Sequence, residues 1–162
     1  MLIAIDPGKN GGIAYAGKSG IIRAVKMPDT DGDILALLTT INSLHNIEPN
    51  RDGDPRPPLR CHIEKVGGFI KGNKTPGSAM FNFGHGRGVI VGIMLTLGWS
   101  FIEVPPIRWQ KWLGIGTIGG DKNKLKAEAQ RRFPNQKVTL CNADALLMLD
   151  HAASIEKRTL QY

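Results

Sequence analysis

Cysteine is nearly missing from this chain: Cys61 and Cys141 are the two that occur in 162 residues. Two thiols cannot build the disulfide framework of a small secreted domain, so they are expected to be free in a reducing compartment. Long hydrophobic runs are missing too. The longest, Val89 to Leu97, is broken by Gly92 and falls short of the ~20 apolar residues that cross a bilayer. No basic-then-apolar leader precedes the first apolar strand, and the expectation is a cytoplasmic protein without a membrane partner. Internal repeats, low-complexity tracts and domain-scale linkers do not occur, so residues 1–162 are expected to form a single domain. Acids are the scarcer charge, 14 Asp and Glu against 21 Lys and Arg, a formal net charge of +7.

The basic excess is concentrated. Between Arg108 and Lys137 there are eight Lys and Arg against Asp121 and Glu128 alone. A dense positive surface attracts polyanions, nucleic acid first among them, although a solubilising face would carry the same charge.

Apolar patterning predicts three short antiparallel strands at residues 2–6, 12–16 and 21–27, separated by the turns Pro7–Gly11 and Gly17–Gly20. A helix capped by Asp31 or Asp33 and running to about His45 follows. Next come a strand at Leu59–Glu64, a helix from Ser78 to about Leu97, a strand at Trp99–Val104 and a short helix at Ile107–Leu113. Asp121 is expected to cap a basic helix ending at Arg132. Val138–Leu140 reads as a brief strand or turn, and a last helix runs from about Asn142 to Lys157. Antiparallel strands followed by crossover units imply an α/β fold with a mixed sheet, helices on both faces and the first strand central.

Three acids stand out in this frame. Asp6 closes the apolar strand Leu2-Ile3-Ala4-Ile5, Glu64 ends Cys61-His62-Ile63, and Asp144 opens the apolar helix that starts at Ala143. A carboxylate at the end of a buried strand is costly unless it is paired or holds a cation. Each has an ordinary reading alone: a turn former before Pro7-Gly8, a surface acid beside Lys65, and an acid at a helix N-terminus. Together they point to a divalent-metal site, and acids that bind metal beside bases that bind phosphate are the parts of a nuclease.

Ile5-Asp6-Pro7-Gly8, Ile63-Glu64 and Ala143-Asp144-Ala145-Leu146, in this order, resemble the RuvC family of Holliday-junction resolvases within the ribonuclease-H-like superfamily. Ser78-Ala79 through Gly84-His85-Gly86-Arg87-Gly88 resembles a helix segment of that family. Trp109-Gln110-Lys111, Gly114-Ile115-Gly116 and Asp121-Lys122 through Arg132-Phe133-Pro134 look most like its short bacteriophage members. The resemblance spans nearly the whole chain. It implies a ribonuclease-H-like fold with a five-stranded mixed sheet, a homodimer, and a role in DNA recombination and repair in the host cytoplasm if phage-encoded. It further implies two Mg²⁺ ions, replaceable by Mn²⁺, and paired nicking of four-way junctions and other branched DNA.

Carried onto this chain, the resemblance makes Asp6 a ligand shared by both ions, with Glu64 and Asp144 completing the set, and puts Lys122 beside the scissile phosphate. Phe69 matches an aromatic near the junction centre, flanked by Lys71 and Lys74. Arg87, Lys111, Lys124 and Lys126 join them as expected DNA contacts, and Arg131 and Arg132 as phosphate contacts. The second helix, with its glycines and apolar run, is the expected dimer interface. Its glycines also suit close helix packing, and Trp109 and Trp112 at i, i+3 are expected in the core. The chain departs from the family where a fourth acid or His is usual: that position is Cys141, a poor ligand for a hard cation. Asn142, Asp150 and His151 are the neighbouring substitutes, the last two expected as supporting or surface residues. Two alternatives follow: a branched-DNA-binding protein that has lost catalysis, or a ribonuclease on RNA–DNA hybrids. The second lacks a helix-borne acid soon after Glu64, since Ser78–Leu97 contains no Asp or Glu.

Overall fold

The short alternating segments at the start of the chain form the strands they predict. A computed structural model describes residues 1–17, 19–47, 59–65, 77–114, 121–157 and 160–162. In chain order these give β1 (Leu2–Asp6), β2 (Gly12–Ala16), β3 (Ile22–Lys26), α1 (Asp31–Ile47), β4 (Arg60–Glu64) and α2 (Gly77–Thr96). They continue with β5 (Ser100–Val104), α3 (Pro106–Trp112), α4 (Lys122–Arg132) and α5 (Ala143–Ile155). The five strands form one sheet in the order β3-β2-β1-β4-β5. β2 runs antiparallel to β1 and β3, whereas β1, β4 and β5 are parallel to one another. β1 is therefore central, as expected, and the sheet is mixed.

Period-two alternation divides the sheet into two unlike faces. Leu2, Ala4, Ala14 and Ala16 belong to a core shared with α3, α4 and α5. Met1, Ile3, Ile5, Ile13 and Tyr15 belong to a second core shared with α1 and α2. The alanine-rich face lets α5 lie close to the central strands. α5 is buried from Ala143 to Ala153 because the sheet covers one side and α4 covers another. Its sequence is apolar all round for that reason.

Gly12, opposite Asp6 in the β1–β2 register, is the closest point of that approach. A Cβ there would lie 2.6 Å from the Val25 carbonyl oxygen and 2.7 Å from that of Cys141. Both obstacles are backbone, so neither can swing aside.

One local expectation is corrected, and of another's two alternatives, strand or turn, the turn is found. The α1 cap is Thr30, whose hydroxyl accepts from the Asp33 backbone N–H at 3.1 Å and donates to the Asp33 carboxylate at 2.7 Å. Val138–Leu140 forms no strand. Thr139 there accepts from the Asn142 N–H at 3.3 Å, which turns the chain into α5.

The glycines of α2 behave differently from Gly12: a Cβ at Gly84, Gly86, Gly88 or Gly92 would meet nothing within 4 Å. The expectation that they mediate close packing within the chain is thus corrected. Gly12→Ala is expected to lower unfolding free energy by about 1–3 kcal/mol through overpacking. Gly84→Ala is expected to be neutral or to stabilise by up to about 1 kcal/mol through helix propensity. Urea denaturation of the two variants checks the contrast.

Candidate active site

The three acids come from the elements that the sheet brings together. Asp6 ends β1, Glu64 ends the adjacent parallel strand β4, and Asp144 lies in the first turn of α5, which packs across β1. Even-numbered residues of β1 face α5, and the register aligns Ala4 with His62, so Asp6 and Glu64 emerge on the α5 side. Asp6 and Asp144 are 7% and 4% exposed. One oxygen of Asp6 accepts from the Gly8 N–H at 3.2 Å, so the turn reading of Asp6 and its site reading coexist. Gly11 leaves the room this requires: a Cβ there would fall 2.6 Å from Asp6 Cγ.

These acids affect one another. Burial raises the pKa of Asp6, with Lys122 opposing the shift and Asp144 adding to it. Glu64 is pushed up to about 7, first by burial and then by the charges of Asp6 and Asp144. Burial and nearby negative charge thus both disfavour ionisation of Asp6 and Glu64.

Lys122 is the cation at hand. Asp121 caps α4 by accepting from the backbone N–H groups of Asn123 and Lys124 at 3.1 and 3.3 Å. That cap sets Lys122 as the first residue of α4, facing the acids. Its ammonium donates to Asp144 Oδ2 and lies 3.8 Å from Asp6 Oδ2. The other oxygen of Asp144 is buried without a hydrogen-bond partner.

Glu64 faces a residue that the sequence reading had left in the core. The indole N–H of Trp109 donates to Glu64 Oε1 at 3.3 Å. Trp109 is fully buried, as expected, but its N–H is directed at the site. The i, i+3 spacing of the tryptophans announces burial, and nothing in it marks an acid 45 positions upstream. Among the described residues, no three His, Cys, Asp or Glu side chains are grouped tightly enough to hold an ion as they stand. Lys122 engages Asp144 and approaches Asp6, while Trp109 engages Glu64.

The remaining expectations divide. Phe69, Lys71 and Lys74 lie outside the described residues. Arg87 is ion-paired with Glu103 on β5, and His85 meets Asp31 at 2.9 Å, so both α2 residues have protein partners. Lys111 is exposed on α3, Lys126 is half-buried on α4, and Lys124 lies 3.8 Å from Asp121. The Arg131 and Arg132 guanidiniums both engage Glu128, whose pKa falls to about 2 chiefly through the hydrogen bond from Arg131.

Asp150 and His151, expected as supporting or surface residues, are buried, which rules out the surface alternative. Asp150 accepts from Arg132 at 2.8 Å and from the Tyr162 hydroxyl at 2.7 Å. Asn142 is not a substitute ligand either, because its amide oxygen accepts from the Thr139 N–H at 2.7 Å and from the Thr139 hydroxyl. Trp112 is 43% exposed and stands edge-on to His151, so its assignment to the core is corrected. No described helix is long and apolar enough to cross a membrane.

A central strand ending in an acid, a parallel neighbour ending in another, and an acid-bearing helix across them define a ribonuclease-H-like α/β fold. Among solved structures, that of Thermus thermophilus RuvC is similar, with a TM-score of 0.57 and 17% identity over 96% of this chain and 95% of its own. T. thermophilus RuvC in complex with Holliday junction substrate is also similar, with a TM-score of 0.58 and 16% identity over 97% of this chain and 96% of that one. The RuvC-like fold implied by the sequence motifs is thus the fold observed. No family model matches the chain, and no curated protein matches it.

The Glu64 shift has a measurable consequence. Between pH 4.5 and about 7 the unfolded chain releases this proton while the folded protein keeps it, so stability falls as pH rises and levels off above about 7. In chelator, Glu64→Gln is expected to match wild type near pH 4 and to exceed it at pH 8, by up to about 3 kcal/mol. Chemical denaturation at the two pH values checks this.

Proposed function

We propose that the protein is a metal-dependent, structure-selective endonuclease that resolves four-way junctions and other branched DNA by paired nicking, acting as a homodimer. The observation that carries this reading is the convergence of Asp6, Glu64 and Asp144 from two strands and a helix, with Glu64 pushed up to about 7 by burial and by its two acidic neighbours. The fold likeness to RuvC supports the substrate class, since one of those structures holds a Holliday junction.

The donor set suits Mg²⁺, a hard cation that prefers carboxylate oxygens, with Mn²⁺ as a substitute. Among the described residues one buried oxygen of Asp144 has no hydrogen-bond partner, which fits such an ion. Asp6, Glu64 and Asp144 would hold two ions, Asp6 in common. When bound, the metal supplies an activated water and offsets charge on the transferred phosphoryl group.

The chain's own residues do the rest. Trp109 orients Glu64. Lys122, with its side chain 51% exposed at the rim, is placed to neutralise charge on the scissile phosphate. Lys111, Lys124 and Lys126 grip backbone phosphates without reading sequence. Phe69, with Lys71 and Lys74, is our candidate for contact with the junction centre.

Two active sites are needed for two opposed strands, and a two-fold dimer provides them. α2 offers the surface. Phe81 and Leu95 are 73% and 62% exposed, and a Cβ added at Gly84, Gly88 or Gly92 between them would meet no described residue within 4 Å. Sedimentation equilibrium is expected to give a dimer at micromolar concentration, and Leu95→Glu a monomer. A wild-type monomer contradicts the paired-nicking reading.

Asp6→Asn is expected to reduce junction nicking in Mg²⁺ by at least about a hundredfold while junction binding in Ca²⁺ stays within a few-fold. Full nicking by this variant contradicts the site. The pairing of Lys122 with Asp144, together with Cys141, favours a second reading, a branched-DNA-binding protein without catalysis. Junction binding by wild type without cleavage in either Mg²⁺ or Mn²⁺ would establish that reading.

A further inference from the structure

Lys122 does more in this site than a residue waiting for phosphate requires. Its ammonium donates to one oxygen of Asp144 and lies 3.8 Å from Asp6, so it occupies the cation position between two buried carboxylates. Among the described residues no three ligands are grouped around one point while Lys122 is seated there. Asp144 cannot offer both oxygens to an ion while one of them accepts from Lys122. The side chain is held only at its ends. Its backbone is fixed by the Asp121 cap, and the side chain between is 51% exposed on a flexible four-carbon stem. It can therefore leave without disturbing α4.

We infer that Lys122 is a tethered counter-ion: a divalent metal must displace it from Asp144 in order to bind, and the displaced ammonium is then held by a DNA phosphate at the rim. The inference rests on the metal-site reading above and adds to it an order of events. A hydrated dication carries twice the charge of the ammonium and so competes for the same two carboxylates, yet it must first break the ion pair. DNA relieves that competition by giving Lys122 another anion. Metal and DNA binding are then positively coupled, and the coupling is reciprocal. Loading with metal in the absence of DNA is therefore weak.

Mn²⁺ binding to the full chain without DNA, measured by titration calorimetry, tests this independently of activity. Lys122→Met is expected to bind Mn²⁺ about tenfold more tightly than wild type, because a partly buried ion pair no longer has to be broken. Lys124→Met removes the same charge from the same turn of α4, where the side chain is 70% exposed and 3.8 Å from Asp121. It is expected to change Mn²⁺ affinity by less than about twofold. Equal or weaker binding by Lys122→Met overturns the inference and leaves the metal site standing. An equal gain in Lys124→Met overturns it too, by showing a general charge effect. Binding that is undetectable in all three, or that is unchanged by Asp6→Asn, removes the metal site itself and the inference with it.

Should Lys122→Met fail to fold, wild type alone decides the matter. The Lys122 side-chain ammonium resonance, protected from exchange by its carboxylate partner in chelator, is expected to be lost as Mg²⁺ is added. Persistence of that resonance through metal saturation overturns the inference.

Discussion

Everything in this fold that bears on chemistry depends on burying negative charge at the end of a sheet. Asp6 and Asp144 are almost wholly enclosed and Glu64 is half-buried, and burial together with the neighbouring negative charge raises the proton affinity of Asp6 and of Glu64. Isolated, such a cluster would be strongly destabilising. The protein answers with one ammonium, that of Lys122, and one indole N–H, that of Trp109. Three acids against one lysine leave the cluster short of positive charge. That shortage is the ground for the affinity for a further cation that we propose.

The scaffold exists to make this burial possible. β1 is central, so its C-terminal residue emerges between paired neighbours and not at an edge. The small residues Ala4, Ala14 and Gly12 bring α5 down onto the sheet, which delivers Asp144 to Asp6. On the opposite face, large residues of β1 and β2 anchor α1 and α2. Only the C-terminal part of α2 is committed to that core, through Ile90 and Met94. Phe81 and Leu95 on the same helix are exposed, which is why we propose it as the surface for a second copy.

Much of this was legible in the chain. Strand alternation, turn residues and the Asp121 cap located the elements, because short-range chemistry decides them. Asp6 and Glu64 were legible because a charged residue closing an apolar strand contradicts its surroundings, and Asp144, ordinary at a helix N-terminus, gained meaning only beside them. Relations between distant residues were not. No spacing shows that the indole of Trp109 donates to Glu64, that Lys122 pairs with Asp144, or that Asp150 is enclosed by Arg132 and Tyr162. Trp112 has the same apolar character as Trp109, yet one is at the surface and the other in the core. The difference comes from how α3 rests on α5, a packing relation that a local pattern does not encode.

The most direct test of the account is a crystal structure of the protein soaked in Mn²⁺, read by anomalous scattering. The account requires a peak within coordination distance of Asp6 and at least one of Glu64 and Asp144, with the Lys122 ammonium withdrawn from Asp144. A saturating soak that leaves no peak there, with Lys122 still seated between the carboxylates, would contradict it.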